Sequence, residues 1–424
     1  MTGLTRADSQ LADAGQAAGR NASQTGGAAG AAYSLYVEQI EGSATASQLE
    51  QLHAQLASFF GKAPAGPLSI AVFRSRERFV QGLSADGQPV PTAAGGYYSP
   101  ATKKAYCYVQ PSDYFTRQLV LHEALHQFHF LVATGNHNPS VEWYTEGLAE
   151  YFGMHNWDGR TLKTGVVPAI TLEDYPAAAM KAFRSANEDL DGLACGRIPC
   201  PRPLAWALVH FLINNHPTEF RELARRLDEG DDPGLAWTSV TASLGGADLK
   251  QKLMIWIESH QQPWQIVWVG WQQHGAAIEG ASEVNAMAVL KATPAAITAR
   301  LEPLKDGVKA GLAFGYVSPQ QFCLFQVVGA EGYRIVRRAD GRWTCLAQGR
   351  LPVSANRDGP VLSARIEGDL VRLAANGQEI KTIRAPGQVG LSVDGGRTLF
   401  DITLSDSPAT PVAAPTDFKS SNNG

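Results

Sequence analysis

Beyond about residue 285 the apolar side chains of this 424-residue chain recur at every second position, in short runs separated by Asp340-Gly341, Gly368-Asp369, Asn376-Gly377 and Asp394-Gly395. A strand points successive side chains to opposite faces, so such runs, joined by tight Gly-containing turns, bury one face by stacking antiparallel sheets. Residues 285–406 are therefore expected to form an all-β sandwich. The preceding stretch follows different rules. "SLYVEQI", "PLSIAVF" and "KAYCYVQ" (Lys104 to Gln110) read as strands, whereas Ala46 to Phe60 and "SRERFVQGL" have helical spacing. "PLAWALVHFLINNH", "PTEFRELARRLDEG" and "DLKQKLMIWIESH" add a helical lobe between Pro203 and His260. The expected fold class is α+β, with a mixed sheet plus helical lobe over 33–264, a linker over 265–284, and then the sandwich. At the ends, 1–32 is rich in Ala, Gly, Gln and Ser and 407–424 in Pro, Ala, Ser and Asn. Neither has enough large apolar side chains to offset chain entropy, so a disordered leader and tail are expected.

With 44% hydrophobic and 18% charged residues the chain has the make-up of a soluble globular protein. A net charge of -4 argues against nucleic acid or an anionic membrane as the main partner. No apolar run approaches the ~20 residues that cross a bilayer, and the N-terminal segment lacks the basic start and apolar core of a signal peptide. The cysteines leave two readings open. Cys195 and Cys200 flank the tight "CGRIPC" loop, and Cys323 and Cys345 are spaced for neighbouring strands. Two disulfides with Cys107 left over would suit an extracellular or periplasmic protein, and five reduced thiols a cytosolic one.

The residues that carry chemistry lie between Leu119 and Phe152. "PSDYFTRQLVLHEALHQFHFLVATG" has Ser112 or Asp113 as an N-cap, an apolar-rich body and Gly135 as a stop, which reads as one helix of about five turns. His122 and His126 share a face of it and direct their imidazoles at one point, while Glu123 is turned enough to reach a metal-bound water. Zinc in a hydrolytic site takes three protein ligands and keeps the fourth position for water, so a third ligand is required. The pattern with Gly and His further along the same helix is excluded, because those positions hold His129 and Val132. The other option is a glutamate from the next helix. "VEWYTEGLAEYF" offers Glu146, twenty residues after His126, with Glu150 one turn later on the same face.

"HEALH" followed by "EGLAEYF" resembles the gluzincin metallopeptidases, the group that includes thermolysin and aminopeptidase N. Within it, the closest likeness is to a bacterial branch in which W-x-x-E-G-x-A-E-Y-F follows the first motif. The resemblance spans about Tyr33 to Trp264, with its specificity in Leu119 to Phe152. It implies a zinc peptidase in which His122, His126 and Glu146 bind Zn2+, Glu123 is the general base, and Glu150 hydrogen-bonds the first histidine and fixes its tautomer. It also implies a polypeptide substrate laid against an exposed edge strand, for which Lys104 to Gln110 is the candidate, with "GGYYS" (Gly95 to Ser99) beside it. The chain departs from the family in the Tyr or His that stabilises the oxyanion about sixty-five residues after the third ligand. "CPRPLAWALVHFL" lies there and contains no tyrosine. Tyr175, Arg202 and His210 are the candidates, with His210 reading first as a core histidine. His129 reads as a packing or hydrogen-bonding residue, His137 and His155 as loop residues, and Glu142 as favourable charge at a helix start.

From about Asn285 to Ser405 the order of strands and glycines resembles the concanavalin A-like jelly rolls found beside many secreted hydrolases. That likeness implies an accessory sandwich, with Trp343 or Tyr333 as candidate platforms for a glycan and core packing as the plainer role. No paired carboxylates at a suitable spacing point to a glycosidase there. The resulting expectation is a zinc metallopeptidase acting outside the cytoplasm. Its rival is a catalytically degenerate zinc-binding scaffold that acts as a glycan- or protein-binding adhesion protein through its sandwich.

Overall fold

The computed structural model describes residues 33–37, 46–91, 95–139, 141–171, 173–268, 270–353 and 359–406. The expected leader over 1–32 and tail over 407–424 lie outside the described residues. The chain divides into two compact units between Gln262 and Pro263.

In the first unit the order is β1 (Tyr33–Val37), α1 (Ala46–Phe60), β2 (Leu68–Phe73), α2 (Arg76–Ala85), β3 (Gly96–Ser99), β4 (Lys104–Tyr108), α3 (Asp113–Phe128) and α4 (Glu142–Gly153). A hairpin of β5 (His155–Trp157) and β6 (Leu162–Thr164) follows. The helical lobe comprises α5 (Tyr175–Ser185), α6 (Leu190–Ala194), α7 (Arg202–Asn215), α8 (Pro217–Asp228), α9 (Pro233–Thr241) and α10 (Gly246–Ser259). The sheet order is β1-β2-β4-β3, with β1, β2 and β4 parallel and β3 antiparallel to β4. β3 is thus a sheet edge. β4 is paired on both sides, which corrects the expectation that Lys104 to Gln110 is the exposed strand.

α3 occupies the centre of this unit. Ser112 caps it by accepting a hydrogen bond from the Phe115 N–H at 3.2 Å, and Asp113 places negative charge at the positive end of the helix dipole. Twelve of its 16 residues are buried, so it is enclosed rather than amphipathic. It packs on β2, β3 and β4 and on α4. Val120, Leu121, Ala124, Leu125 and Phe128 join one continuous core with Leu49, Ile70, Val72 and Leu148. Gln127 Nε2 donates to the carbonyls of Ser69 and Lys103 at 3.0 and 2.6 Å, which ties the helix to β2 and to the turn before β4. The helix runs on into a π-helical turn, His129–Ala133, and ends at Gly135, whose φ of 64° no other residue adopts as readily.

The second unit is all-β. Its strands are β7 (Trp264–Ile266), β8 (Trp271–His274), β9 (Ala277–Ser282), β10 (Ala286–Leu290), β11 (Ala296–Leu301), β12 (Lys309–Ser318) and β13 (Gln321–Val328). They continue with β14 (Gly332–Ala339), β15 (Arg342–Arg350), β16 (Val361–Glu367), β17 (Leu370–Ala375), β18 (Gln378–Arg384), β19 (Gln388–Asp394) and β20 (Gly396–Ser405). Two seven-stranded antiparallel sheets result, ordered β15-β14-β13-β12-β19-β10-β7 and β18-β17-β16-β11-β20-β9-β8. They pack face to face, β12 against β11 and β16, and β19 against β9 and β20. The expected sandwich is therefore present, but it begins earlier than expected. The stretch 265–284 is not a linker, because β7, β8 and β9 lie in it and pair into the two sheets. Its Gln- and Trp-rich short strands lack the clean alternation that marks the later ones.

The turn dipeptides behave as their chemistry demands. Asp340-Gly341 and Asn376-Gly377 all have positive φ, between 48° and 81°, as two-residue hairpin turns require. The cysteines do not pair, and all five are free thiols. Cys323 lies on β13 and Cys345 on β15, with β14 between them. Two strand spacings, about 9–10 Å, exceed the reach of a disulfide.

α4 approaches α7 closely because Gly147 has no side chain. A Cβ at that position would stand 2.5 Å from the Ala205 carbonyl oxygen and 2.6 Å from Val209 Cγ2. Gly147→Ala should therefore cost about 1–3 kcal/mol, since a backbone carbonyl cannot step aside as a side chain can. A melting curve should show Tm lowered by several degrees, and an unchanged Tm would mean that the two helices are not in this contact.

Candidate metal centre

α3 and α4 bring their ionisable residues together. Helical spacing sets His122 and His126 one above the other, and the packing of α4 along α3 brings Glu146 and Glu150 to the same place. The Nε2 atoms of His122 and His126 are 3.1 Å apart. Glu146 Oε2 lies 3.5 Å from His122 Nε2, and Glu146 Oε1 lies 3.5 Å from His126 Nε2. Donors bonded at about 2.0–2.1 Å to one tetrahedral ion stand about 3.3–3.4 Å apart, so this triangle has the size of one face of a metal's ligand shell. Among the described residues it is the one His/Cys/Asp/Glu group with that convergence. Two imidazoles and a carboxylate suit a divalent cation. The carboxylates of Glu123, Glu146 and Glu150 also outnumber the single guanidinium of Arg202, an excess that such a cation offsets.

The surrounding groups orient this triangle. Glu150, buried to 3% exposure, places Oε1 3.4 Å from His122 Nδ1. Its other oxygen accepts from Gln118 Nε2 at 3.2 Å. Arg202, the first residue of α7, holds Nε 3.0 Å from Glu146 Oε2 and Nη1 3.9 Å from Glu150 Oε1. The first of these is an ion pair without the alignment of a hydrogen bond. In the metal-free protein burial pushes the His122 pKa down, but Glu150, Glu146 and Glu123 outweigh it and hold the ring at about 10. Burial raises Glu146 while its contacts with His122 and His126 overturn that and leave it well below the usual carboxylate range. Glu123 goes the other way, raised chiefly by burial.

Glu123 owes its position to a residue that spacing arguments did not single out. A Cβ at Gly96 would stand 2.7 Å from Glu123 Cγ and 2.8 Å from its Oε1, so only glycine at the start of β3 admits this carboxylate. The signal available in the sequence is the Gly95-Gly96 pair opening a strand, where close approach of another group is the usual reason. A cleft of about 730 Å³ opens beside it, with Gly96, Tyr98, Glu123, His126, Glu146 and Arg202 in its lining.

Of the three candidates for the oxyanion, only Arg202 lines the cleft. Tyr175 is buried, and burial first, then the charges of Glu150 and Glu173, raises its pKa steeply. His210 is a core histidine, with ring centroids of Tyr151, Trp206 and Trp256 at 5.2, 5.4 and 5.0 Å. His129 has the hydrogen-bonding role expected of it, its Nε2 lying 2.7 Å from Asp228 Oδ1. His155 departs from expectation. It is a fully buried residue of β5, not a loop residue, with Nδ1 2.8 Å from the Gly153 carbonyl and Nε2 accepting from Arg117 Nε at 3.3 Å.

No protein-family model matches the chain, and no curated protein does. Among solved structures it is similar to the carbohydrate-binding module CBM66 from Bacillus subtilis, at 18% identity and a TM-score of 0.30, covering 34% of this chain and 96% of that one. It is similar also to the catalytic domain of an endo-1,3-beta-glucanase (laminarinase) from Thermotoga petrophila RKU-1, at 13% identity and a TM-score of 0.25, covering 32% and 79%. The GH43 BlXynB protein from Bacillus licheniformis matches at 14% identity and a TM-score of 0.27, covering 33% of this chain and only 36% of that one. Likeness at these scores bears no weight, and the sandwich rests on its own strand order.

His155 and His210 generate a pH dependence of stability. Burial, the largest cause in both, pushes them down to about 3 and about 4. The unfolded chain takes up these protons near pH 6.5 and the folded one does not. The unfolded state therefore binds more protons below pH 6.5, and stability falls as pH falls from there toward 4. Tm followed over this window should decline, and more shallowly in His210→Gln. A decline of equal slope in the variant would show that His210 is not held neutral in the fold.

Proposed function

We propose that the first unit is a zinc-dependent peptidase of the gluzincin type, acting outside the cytoplasm on a polypeptide substrate. What supports this is the convergence of His122, His126 and Glu146 into a triangle with edges of 3.1 to 3.5 Å, beside a buried carboxylate on the wall of the same cleft. These three side chains would hold the ion. Zinc, when bound, supplies Lewis-acid polarisation of the scissile carbonyl and acidifies a water. Glu123 would be the residue that takes a proton from a water attacking the carbonyl carbon and returns it to the amine as the C–N bond breaks. Burial raises its pKa, which makes the carboxylate a stronger base than an exposed one. Glu150 fixes the His122 tautomer through Nδ1, leaving Nε2 free to face the ion. Arg202, on the cleft wall, takes the place of the missing Tyr or His as the cation that faces the developing oxyanion. The free edge of β3 offers backbone groups to an extended peptide.

The test is zinc content together with cleavage of a quenched fluorescent peptide library by the wild type and by Glu123→Gln. One zinc per chain in both, with the rate reduced by at least about a hundredfold in the variant, is the expected result. Cleavage retained by the variant would remove Glu123 from the mechanism, and absence of zinc would overturn the reading. A second expectation is independent of activity. The carboxylates of Glu150, Glu146 and Glu123 favour the protonated form of His122, so zinc binding should release a proton from it, measured as a buffer-dependent binding enthalpy.

A second reading keeps the metal scaffold but assigns the working role to the sandwich, as a glycan-binding module. It is favoured by Trp343, which is 49% exposed, and by the departure from the family's oxyanion residue. Zinc bound without cleavage by either form would support it over the first.

A further inference from the structure

The hairpin of β14 and β15 carries Arg334, Arg337, Arg338, Arg342 and Arg350 but a single acid, Asp340, at its turn. β15 is the edge of its sheet and largely exposed. Charges on an edge strand guard against pairing with other chains, which accounts for Arg342 and Arg350 but not for an exposed indole among them. Ion pairing does not account for the arginines either. Arg334, Arg372, Arg384 and Arg397 each have a carboxylate oxygen within 4 Å. Among the described residues, Arg337, Arg338 and Arg342 have none. Of these, Arg338 lies on the same face of the hairpin as Trp343, whereas Arg337 and Arg342, each one residue along its strand, lie on the other.

The arrangement there is specific. Arg338 faces Trp343 across the two strands, with its guanidinium carbon 5.7 Å from the indole centroid and 6.0 Å from that of Phe322. Phe322 meets Trp343 edge-on at 5.5 Å, which holds the indole in one orientation. Arg337 Nη2 donates to the carbonyl of Arg384 at 3.0 Å, and Lys381 Nζ donates to that of Leu346 at 2.7 Å. Arg384 and Lys381 lie on β18, the edge of the other sheet, so the two edges meet in one basic rim. A hollow of about 220 Å³ there includes Phe322, Arg337, Arg338 and Arg384 in its lining.

We propose that this rim binds an anionic polysaccharide, with Trp343 stacked on a sugar ring and Arg338, beside it on the same face, paired with a carboxylate or sulfate group. The proposal rests on the reading of the sandwich as a glycan binder and is independent of the metal site. A sugar ring presents an apolar C–H face that a fixed indole covers, while a guanidinium fork takes a carboxylate or sulfate through two hydrogen bonds. Single-stranded nucleic acid is the less suitable occupant. It is held by several stacked aromatics along a basic groove, whereas Trp343 is the sole exposed tryptophan among the described residues and the chain carries a net charge of -4.

The experiment is calorimetric and fluorescence titration of the full chain with polygalacturonate, heparin, amylose and a single-stranded oligothymidylate, at low and at high salt. Binding to polygalacturonate, to heparin or to both is expected, with none to amylose. The affinity should fall by at least about tenfold at high salt, because exposed charge pairs are screened. Trp343→Ala should lose about tenfold in affinity with an unchanged melting curve, and Trp343→Phe should keep most of it. If Trp343→Ala does not fold, Arg338→Gln, on the same face, must show the loss. A response to polygalacturonate alone assigns carboxylate recognition, and to heparin alone sulfate recognition. Equal binding to amylose would overturn the anionic class while leaving the glycan reading in place. Tighter binding of the oligothymidylate, or no binding to any probe, would overturn both.

Discussion

Burying a charge is costly unless its partners are buried with it, and in the first unit this requirement falls on α3. The helix is enclosed by the sheet on one side and α4 on the other, yet it carries His122, Glu123 and His126 inward. Each has to be met by a group from elsewhere, which is why Glu146, Glu150 and Arg202 stand where they do. The relation of α4 to α3 is thus set twice, by the shared core around Leu148 and by this chain of charges. Gln118, one turn before His122, closes the chain by holding the second oxygen of Glu150.

Much of this was legible from spacing alone. The i, i+4 histidines and a glutamate on the following helix converge as helical geometry requires, and Ser112 caps α3 as its residue type foretells. The partner of Gly96 was not legible, because the Gly95-Gly96 pair marks a close approach but does not say that Glu123, on a later helix, makes it. The same reason hides the burial of Tyr175, which keeps that candidate for the oxyanion out of the lining of the cleft. His155 looked like a loop residue because β5 is three residues long, too short for period two to register.

In the second unit the turns carried the information. Asp-Gly and Asn-Gly pairs fix two-residue hairpins and hence which strands are neighbours. What they do not fix is which strand follows after a longer connection, so β19 between β12 and β10 could not be read in advance. The same gap misplaced Cys323 and Cys345, which are separated by β14 and not on adjacent strands. Burial patterns blur the reading further. β13 is buried on both faces, Phe322 and Leu324 on one side joining a separate apolar cluster with Met287 and Tyr316, so its residues do not alternate with polar ones.

The backbone contact at Gly147 reaches beyond stability. Ala205, which Gly147 touches, is one turn from Arg202, so the contact seats the start of α7, and with it Arg202, against the helix that carries Glu146. Steric contact blocks closer approach of α4 to α7, and separating them would open a void. On the proposed reading, the space for an ion between Glu146 and the two imidazoles is set by the packing of α4 on α3, a contact that involves none of the donor atoms. A small cation with short bonds to nitrogen and oxygen fits such a frame. A calcium ion, with oxygen ligands at about 2.3–2.6 Å and about six to eight of them, would need a wider and more yielding one. On the proposed reading, the discrimination between metals belongs to the helix packing as much as to the ligands.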